Sequence, residues 1–462
     1  MDNLKDKQVC VIGLGASGIA ACRLLAGQGA RVIAVDEADV ESLRKSAAEL
    51  RDLGVDVRLG FKAADEIDAK LAVVSPGVSP DSPLFNVIPE RTPIISELEL
   101  GFQNTVCRAV AITGTNGKTT VTELVAKILK DAGMPAEAAG NIGVPACEVA
   151  ERSRNLDCVV LEVSSFQLER IETFRPTAAV LLNITPDHLD RHGSLQSYAR
   201  AKARIFENQE NFDWAIAQSE ALAYLQAQGF KPASKVVTFS AANRRADIYE
   251  DRGLIVSRLN DWAGPLIDMA DCRLSGAHNV ENVMAALAVG RFLRIPLDQM
   301  RETIQNFAPS QHRCEPVGER DGVRFVNDSK STNPDAVEKA LHGVSASNDK
   351  PDVHLIAGGS DKGLEYYGLG PALARHVKRA YLIGESREKL RASWSLFAPC
   401  EMFDSMDAAF EAAARSAEPG DVVLLSPGCA SFDQFENYRQ RGELFRQKAR
   451  RIVEVAPETA VA

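Results

Sequence analysis

The stretch "AITGTNGKTT", Ala111–Thr120, decides how this chain is read. An apolar run, Ala109–Ile112, enters a loop that holds Gly114 and Gly117, and Lys118, Thr119 and Thr120 open a predicted helix. A strand, a glycine turn and a helix N-terminus make a phosphate cradle. Backbone N–H groups point inward, a lysine adds positive charge and a hydroxyl can meet Mg²⁺. The common phosphate loop keeps four residues between its first glycine and the Gly-Lys pair. Here only Thr115 and Asn116 intervene, so spacing alone leaves the nucleotide open.

Upstream, "KQVCVIGLGASG" predicts a buried strand, a glycine turn and a helix through Leu25. "ARVIAVDE" predicts a second strand ending on Asp36 and Glu37, and "LAVVSPGV" a later one. Alternating strands and helices imply a parallel sheet covered on its faces. Gly13, Gly15 and Gly18 form a GxGxxG turn, with Asp36 closing the next strand. That pattern selects a diphosphate, whether of a nicotinamide dinucleotide or of a UDP-linked sugar. A nicotinamide-dependent oxidoreductase is therefore a competing reading.

Downstream, Glu162 sits among apolar residues in "VVLEVSS", where a carboxylate needs a partner or a cation. "NITPDHLDRH" supplies Asn183, Asp187, His188, Asp190 and His192 just after a strand, where open α/β sheets bind ligands. Lys202 follows on "SLQSYARAKARIF", a predicted helix. A last segment begins near "FAPSQHRCEPV", carries "VRFVNDSKSTNP" and three further strands, and ends in an amphipathic helix from about Phe432 to Val453. We expect an α/β protein of three domains: a Rossmann-like domain over 1–95, a central P-loop-like domain over 96–306, which the family resemblance below makes a mononucleotide-binding ATPase, and a Rossmann-like domain over 307–462.

Bulk properties narrow the partners. A net charge of -10 disfavours nucleic acid. No apolar run approaches the ~20 residues of a membrane helix, so no membrane role is expected. The nine cysteines show no CxxC pair, and the N-terminus lacks a signal-peptide core. Both point to buried, reduced thiols and a cytoplasmic location.

Taken together, "GTNGKTT", "LEVSSFQLE", "NITPDHLDRHGSLQSYARAKARIF", "SGAHNVENVMAAL", "HRCEPV", "NDSKSTNPDA" and "SPGCASFDQFENYRQRGELF" resemble the Mur ligases of peptidoglycan synthesis. The resemblance covers nearly the whole chain, in order, and the shortened ATP loop is that family's form. It implies ATP-dependent amide synthesis in cell-wall precursor assembly. The best-matching branch joins D-glutamate to UDP-MurNAc-L-alanine through an acyl phosphate. Sister ligases for other amino acids are the alternative, although the Asp-Asn-Pro-Arg motif of the diamino-acid branch is missing from the last segment. A monomer acting on small molecules is expected.

The resemblance also implies roles. Gly114, Thr115, Asn116, Gly117, Lys118, Thr119 and Thr120 would cradle ATP, with Asn279 and Asn282 at the adenine and Arg313 and Asp328 near phosphates and ribose. Thr119 and Glu162 would serve one Mg²⁺, and His188 and Lys202 a second, with Lys202 carbamylated to give an oxygen ligand. Lys118, Glu162, His188 and Lys202 form the implied catalytic set. Gly15, Ser17, Asp36 and Glu37 would meet uridine diphosphate, and Asn141 and Ser164 the muramyl-alanine end. Lys330, Thr332, Lys362, Ser431 and Tyr438 would meet D-glutamate, with Phe435 the alternative aromatic.

Overall fold

Short runs rich in Val, Ile, Leu and Ala build three parallel-rich sheets. The computed structural model describes residues 4–62, 66–274, 277–308, 311–345, 350–361 and 364–454. The first sheet holds β1 (Gln8–Ile12), β2 (Arg31–Val35), β3 (Asp56–Arg58), β4 (Leu71–Val74) and β5 (Ile94–Ser96). Their order is β3-β2-β1-β4-β5, with every pairing parallel. The chain reverses its direction of travel across the sheet between β1 and β4, the switch point at which such sheets open a crevice.

The second sheet comprises β6 (Arg108–Thr113), β7 (Ala136–Gly140), β8 (Cys158–Glu162), β9 (Ala178–Leu181), β10 (Trp214–Gln218), β11 (Lys235–Ser240), β12 (Ile248–Asp251), β13 (Leu254–Ser257) and β14 (Gly264–Asp268). Its order is β14-β13-β12-β11-β10-β9-β6-β8-β7. The β12–β13 and β13–β14 pairs are antiparallel. The sequence reading did not foresee this meander, because its strands are short and hold several charged residues.

The third sheet holds β15 (Glu315–Arg320), β16 (Val323–Asn327), β17 (Val353–Gly358), β18 (Val377–Ile383), β19 (Cys400–Met402) and β20 (Val422–Leu425), in the order β15-β16-β20-β17-β18-β19. Buried aliphatic and aromatic clusters cover both of its faces. The closing helix is Tyr438–Glu454, several residues later than expected. Asn437 sets that start: its Oδ1 accepts from the backbone N–H of Arg439 and Gln440 at 2.9 and 3.1 Å. This is a side-chain cap on otherwise unpaired donors. Phe435 therefore precedes the helix and packs against the core, rather than lying one turn from Tyr438.

Contacts divide the chain into two compact units. The first is Met1–Ile184, Ala199–Asp271 and Glu281–Asn306; the second is Thr185–Tyr198, Cys272–Val280 and Phe307–Ala462. The first two sheets share the first unit. There the helix Glu97–Gln103 meets the helix Ala146–Arg152: Glu97 Oε1 accepts from Cys147 N at 2.6 Å in a fully buried setting. All nine cysteines are free; five are buried and four are partly exposed, so burial is less uniform than expected. No helix among the described residues is long and apolar enough to cross a membrane.

Candidate functional site

The glycine turn after β1 does two different jobs. A Cβ on Gly18 would stand 1.8 Å from the Gly13 carbonyl oxygen, so this position lets helix Ala16–Gly27 press on the turn. A Cβ on Gly15 would meet nothing within 4 Å. Gly15 instead faces a cavity of about 710 Å³, lined also by Ser17, Asp36, Glu37 and the loop Ser75–Leu84. Asp36 is already engaged: its carboxylate accepts from Leu14 N at 2.7 Å and Ala38 N at 2.8 Å. It braces the turn as well as facing the cavity. The Ser82 hydroxyl donates to Glu37. The serines of "SPGVSPDS" escaped the sequence reading; their position directly after β4, beside β1, was the available signal.

In the second sheet, register assembles the surroundings of the loop Gly114–Thr120. Glu162, the last residue of β8, lies beside Ile112 of β6 and Gly140 of β7. Its carboxylate is 2% exposed. Oε2 accepts from the Thr119 hydroxyl at 2.6 Å and Oε1 from Asn141 Nδ2 at 2.8 Å. Burial is thus compensated by two neutral donors. Asn183 clamps the loop reciprocally: its Oδ1 accepts from Asn116 N at 2.8 Å and its Nδ2 donates to Asn116 O at 3.0 Å. Thr115 N also donates to Asn183 O at 3.0 Å.

Gly117 has φ +85°, and a Cβ there would lie 2.3 Å from Asn282 Oδ1. Only glycine suits that conformation and that approach. The N-cap of the helix Lys118–Asp131 is Gly117, which makes no side-chain cap bond, and the helix dipole places positive potential at that end. Lys118 Nζ donates to the Gly114 and Thr115 carbonyls at 2.9 Å each, and Lys202 Nζ to Gly114 O at 2.8 Å. Lys202 is 1% exposed. Two cationic side chains therefore converge on one loop. Thr120 is buried beside Thr119. Ser164 caps the short helix Ser165–Leu168 through a capping box with Gln167.

The second unit holds the remaining expected residues. His188 has φ +53°, and its backbone N–H donates to Asp187 Oδ1 at 2.9 Å. Asp187 Oδ2 accepts from Asn333 Nδ2 at 3.0 Å. Asn279 is partly buried on the helix Ala277–Phe292. Asp328 is buried and accepts from Cys314 N at 3.0 Å, Ser426 Oγ at 2.9 Å and the Ser331 hydroxyl. Burial pushes its carboxyl up to about 6, opposed by these bonds and by the charge of the partly buried Arg313. Lys330 Nζ stands 4.1 Å above the Tyr438 ring centroid. Ser431 is buried and Thr332 partly so. Lys362 lies outside the described residues.

Among the described residues, no group of three or more His, Cys, Asp and Glu side chains is arranged for a metal. The first unit offers instead a hydroxyl and a buried carboxylate in contact, a donor set suited to a hard cation that keeps waters and phosphate oxygens.

Comparisons agree along the chain. The family described as "Mur ligase MurD-like, N-terminal domain" matches residues 7–95, "Mur ligase middle domain" 112–290 and "Mur ligase, glutamate ligase domain" 312–429. A UDP-N-acetylmuramoylalanine--D-glutamate ligase of Acidobacterium capsulatum is 42% identical, covering 96% of this chain and 96% of its own. One of Koribacter versatilis is 41% identical, covering 98% of this chain and 99% of its own. Among solved structures, MurC of Thermotoga maritima aligns with TM-score 0.62 at 18% identity over 96% of this chain and 99% of its own. MurF of the same organism, in complex with ADP, aligns with TM-score 0.59 at 16% identity over 97% of this chain and 100% of its own. At those identities the two structures speak for the fold alone. The nicotinamide reading of the GxGxxG turn gives way to these full-length matches. With all three sheets matched and near-complete coverage by close relatives, the chain belongs to the Mur ligase family.

Proposed function

We propose that the loop Gly114–Thr120 binds ATP for ligation of D-glutamate to UDP-N-acetylmuramoyl-L-alanine. An oxygen of the alanyl carboxylate attacks the γ-phosphorus and ADP leaves, which gives an acyl phosphate. The amine of D-glutamate then attacks the acyl carbon; phosphate departs, the nitrogen loses a proton and an amide remains. Lys118 and the positive end of the helix it opens supply positive potential to the phosphates. Thr119 and Glu162 hold one Mg²⁺, and His188 with a carbamylated Lys202 a second. Bound Mg²⁺ would offset charge on the phosphoryl oxygens. Asn141, held on Glu162, and Ser164 face the muramyl-alanine end. Gly15, Ser17, Asp36 and Glu37 line the uridine diphosphate cavity. Asn279, Asn282, Arg313 and Asp328 serve the nucleotide, and Lys330, Thr332, Lys362, Ser431 and Tyr438 the amino acid.

The working domains are 1–95, 96–306 and 307–462, in a cytoplasmic monomer, which light scattering of the purified chain checks. The observation that carries the reading is the Thr119–Glu162–Asn141 contact beside a lysine-bearing, uncapped loop. Its test is phosphate release with ATP, Mg²⁺ and UDP-N-acetylmuramoyl-L-alanine, with amino acids supplied one at a time. Release that depends on D-glutamate is the expected result; release driven by L-alanine or a diamino acid moves the chain to a sister activity.

A further inference from the structure

Arg441, in the first turn of the helix Tyr438–Glu454, is 1% exposed. Its guanidinium fork is fully used. Nε donates to Ser329 Oγ at 3.0 Å, and Nη2 to Ser329 O at 2.8 Å and Cys429 O at 3.2 Å. Nη1 donates to Cys429 O and Ala430 O, both at 3.2 Å. Every one of these acceptors is neutral. Among the described residues no carboxylate pairs with Arg441. Asp328 and Asp433 lie within electrostatic range. Neither hydrogen-bonds it: Asp328 accepts from Cys314, Ser331 and Ser426, and Asp433 from Glu385 N at 2.9 Å. Desolvation pulls the guanidinium down to about 10.

A buried cation without a directly paired carboxylate is costly, and this one sits where three loops meet. Ser329 precedes Lys330, and Ala430 precedes Ser431. Ser360 N donates to Ala430 O at 3.0 Å, which ties in the segment that follows β17. Ser329 Oγ in turn donates to the Tyr438 carbonyl at 2.8 Å. The loops pinned by this one side chain are those to which the proposed ligation assigns the amino acid.

We infer that Arg441 is a positioning residue for the amino-acid substrate: its fork sets the spacing of the Ser329–Thr332 and Cys429–Ser431 loops, and its charge, with no carboxylate in direct contact, adds positive potential where the substrate's carboxylates would lie. The inference rests on the ligation reading above. Glutamate suits the role because it carries two carboxylates against one ammonium.

The test is steady-state phosphate release by Arg441→Lys, which keeps the charge and loses the fork, and Arg441→Gln, which loses the charge and keeps two donors. Both are expected to raise KM for D-glutamate, by about tenfold or more for Gln and less for Lys, as fits a lost charged hydrogen-bond set. KM for ATP and for the UDP-linked substrate should stay within about twofold. Ser329→Ala, a milder change that removes one acceptor, should raise KM for D-glutamate by about three- to fivefold, and it serves if the arginine variants fail to fold. An unchanged KM for D-glutamate, with kcat falling only as the folded fraction falls, overturns the inference. So does an equal rise in all three KM values. If the unaltered chain shows no D-glutamate-dependent release, the ligation reading itself fails; if it does and only KM is unmoved, this inference alone fails.

Discussion

The Thr119 hydroxyl donates to Glu162 Oε2 across 2.6 Å, joining the first turn of the phosphate-loop helix to the end of β8. This contact depends on parallel register, since Ile112 and Glu162 are paired neighbours and the loop leaves β6 one residue later. The site is therefore a property of strand order as much as of the loop motif.

From that contact, Glu162→Gln keeps shape and burial but removes the negative charge. Phosphate release is expected to fall by about 10²-fold or more, the scale of losing a preorganised electrostatic group. The melting temperature should move little, because the Gln carbonyl still accepts from Asn141 Nδ2 and its NH₂ can donate to the Thr119 hydroxyl oxygen. Near-normal turnover would show that the charge has no part in the chemistry.

Glycine positions in the first turn separate packing from binding. Gly18→Ala sets a methyl 1.8 Å from a carbonyl oxygen, so a loss of about 1–3 kcal/mol is expected in denaturant unfolding. Gly15→Ala enters open space at φ −65°. It should cost no more than about 1 kcal/mol, the worth of a helix cap, yet raise KM for the UDP-linked substrate. Equal stability losses at the two positions would contradict this division.

Much of this was legible in advance. The glycine turns, Glu162 and the strand ends were readable because phosphate binding demands backbone geometry that few sequences supply. The partners were not. Asn183 as the clamp of the loop, Asp36 as the brace of the glycine turn after β1 and the serines after β4 all depend on which strands become neighbours. The start of the last helix was misplaced because the Asn437 cap competes with an apolar pattern that runs further upstream. Arg441 carried no sequence signal, since an arginine on an amphipathic helix is usually solvated.

Lys202 offers a chemical test. Carbamylation by CO₂ adds about 44 Da and turns a cation into a carboxylate. Native mass spectrometry in bicarbonate should find that mass on Lys202, and acidification should remove it. Lys202→Ala should lose most activity and regain part of it with an added short-chain acid. Full activity in the variant, unaffected by such acids, would rule the modification out as a working part.

Glu97 links stability to pH. Burial raises its carboxyl to about 7, from about 4.3 in an unfolded chain. The folded state therefore holds the proton more tightly. That contribution is complete below about 4.3 and is lost as pH rises through about 7. Glu97→Gln removes the titration, so the melting temperature of the unaltered chain should fall relative to the variant between about pH 5 and 8. Parallel curves would place the titration elsewhere.

The most direct measurement is phosphate release by the purified chain with ATP, Mg²⁺ and UDP-N-acetylmuramoyl-L-alanine, with D-glutamate present or withheld. Turnover that requires all of them, and is lost in Lys118→Ala, is the predicted result. Failure to consume ATP with every substrate supplied, or release that ignores D-glutamate, would contradict the account.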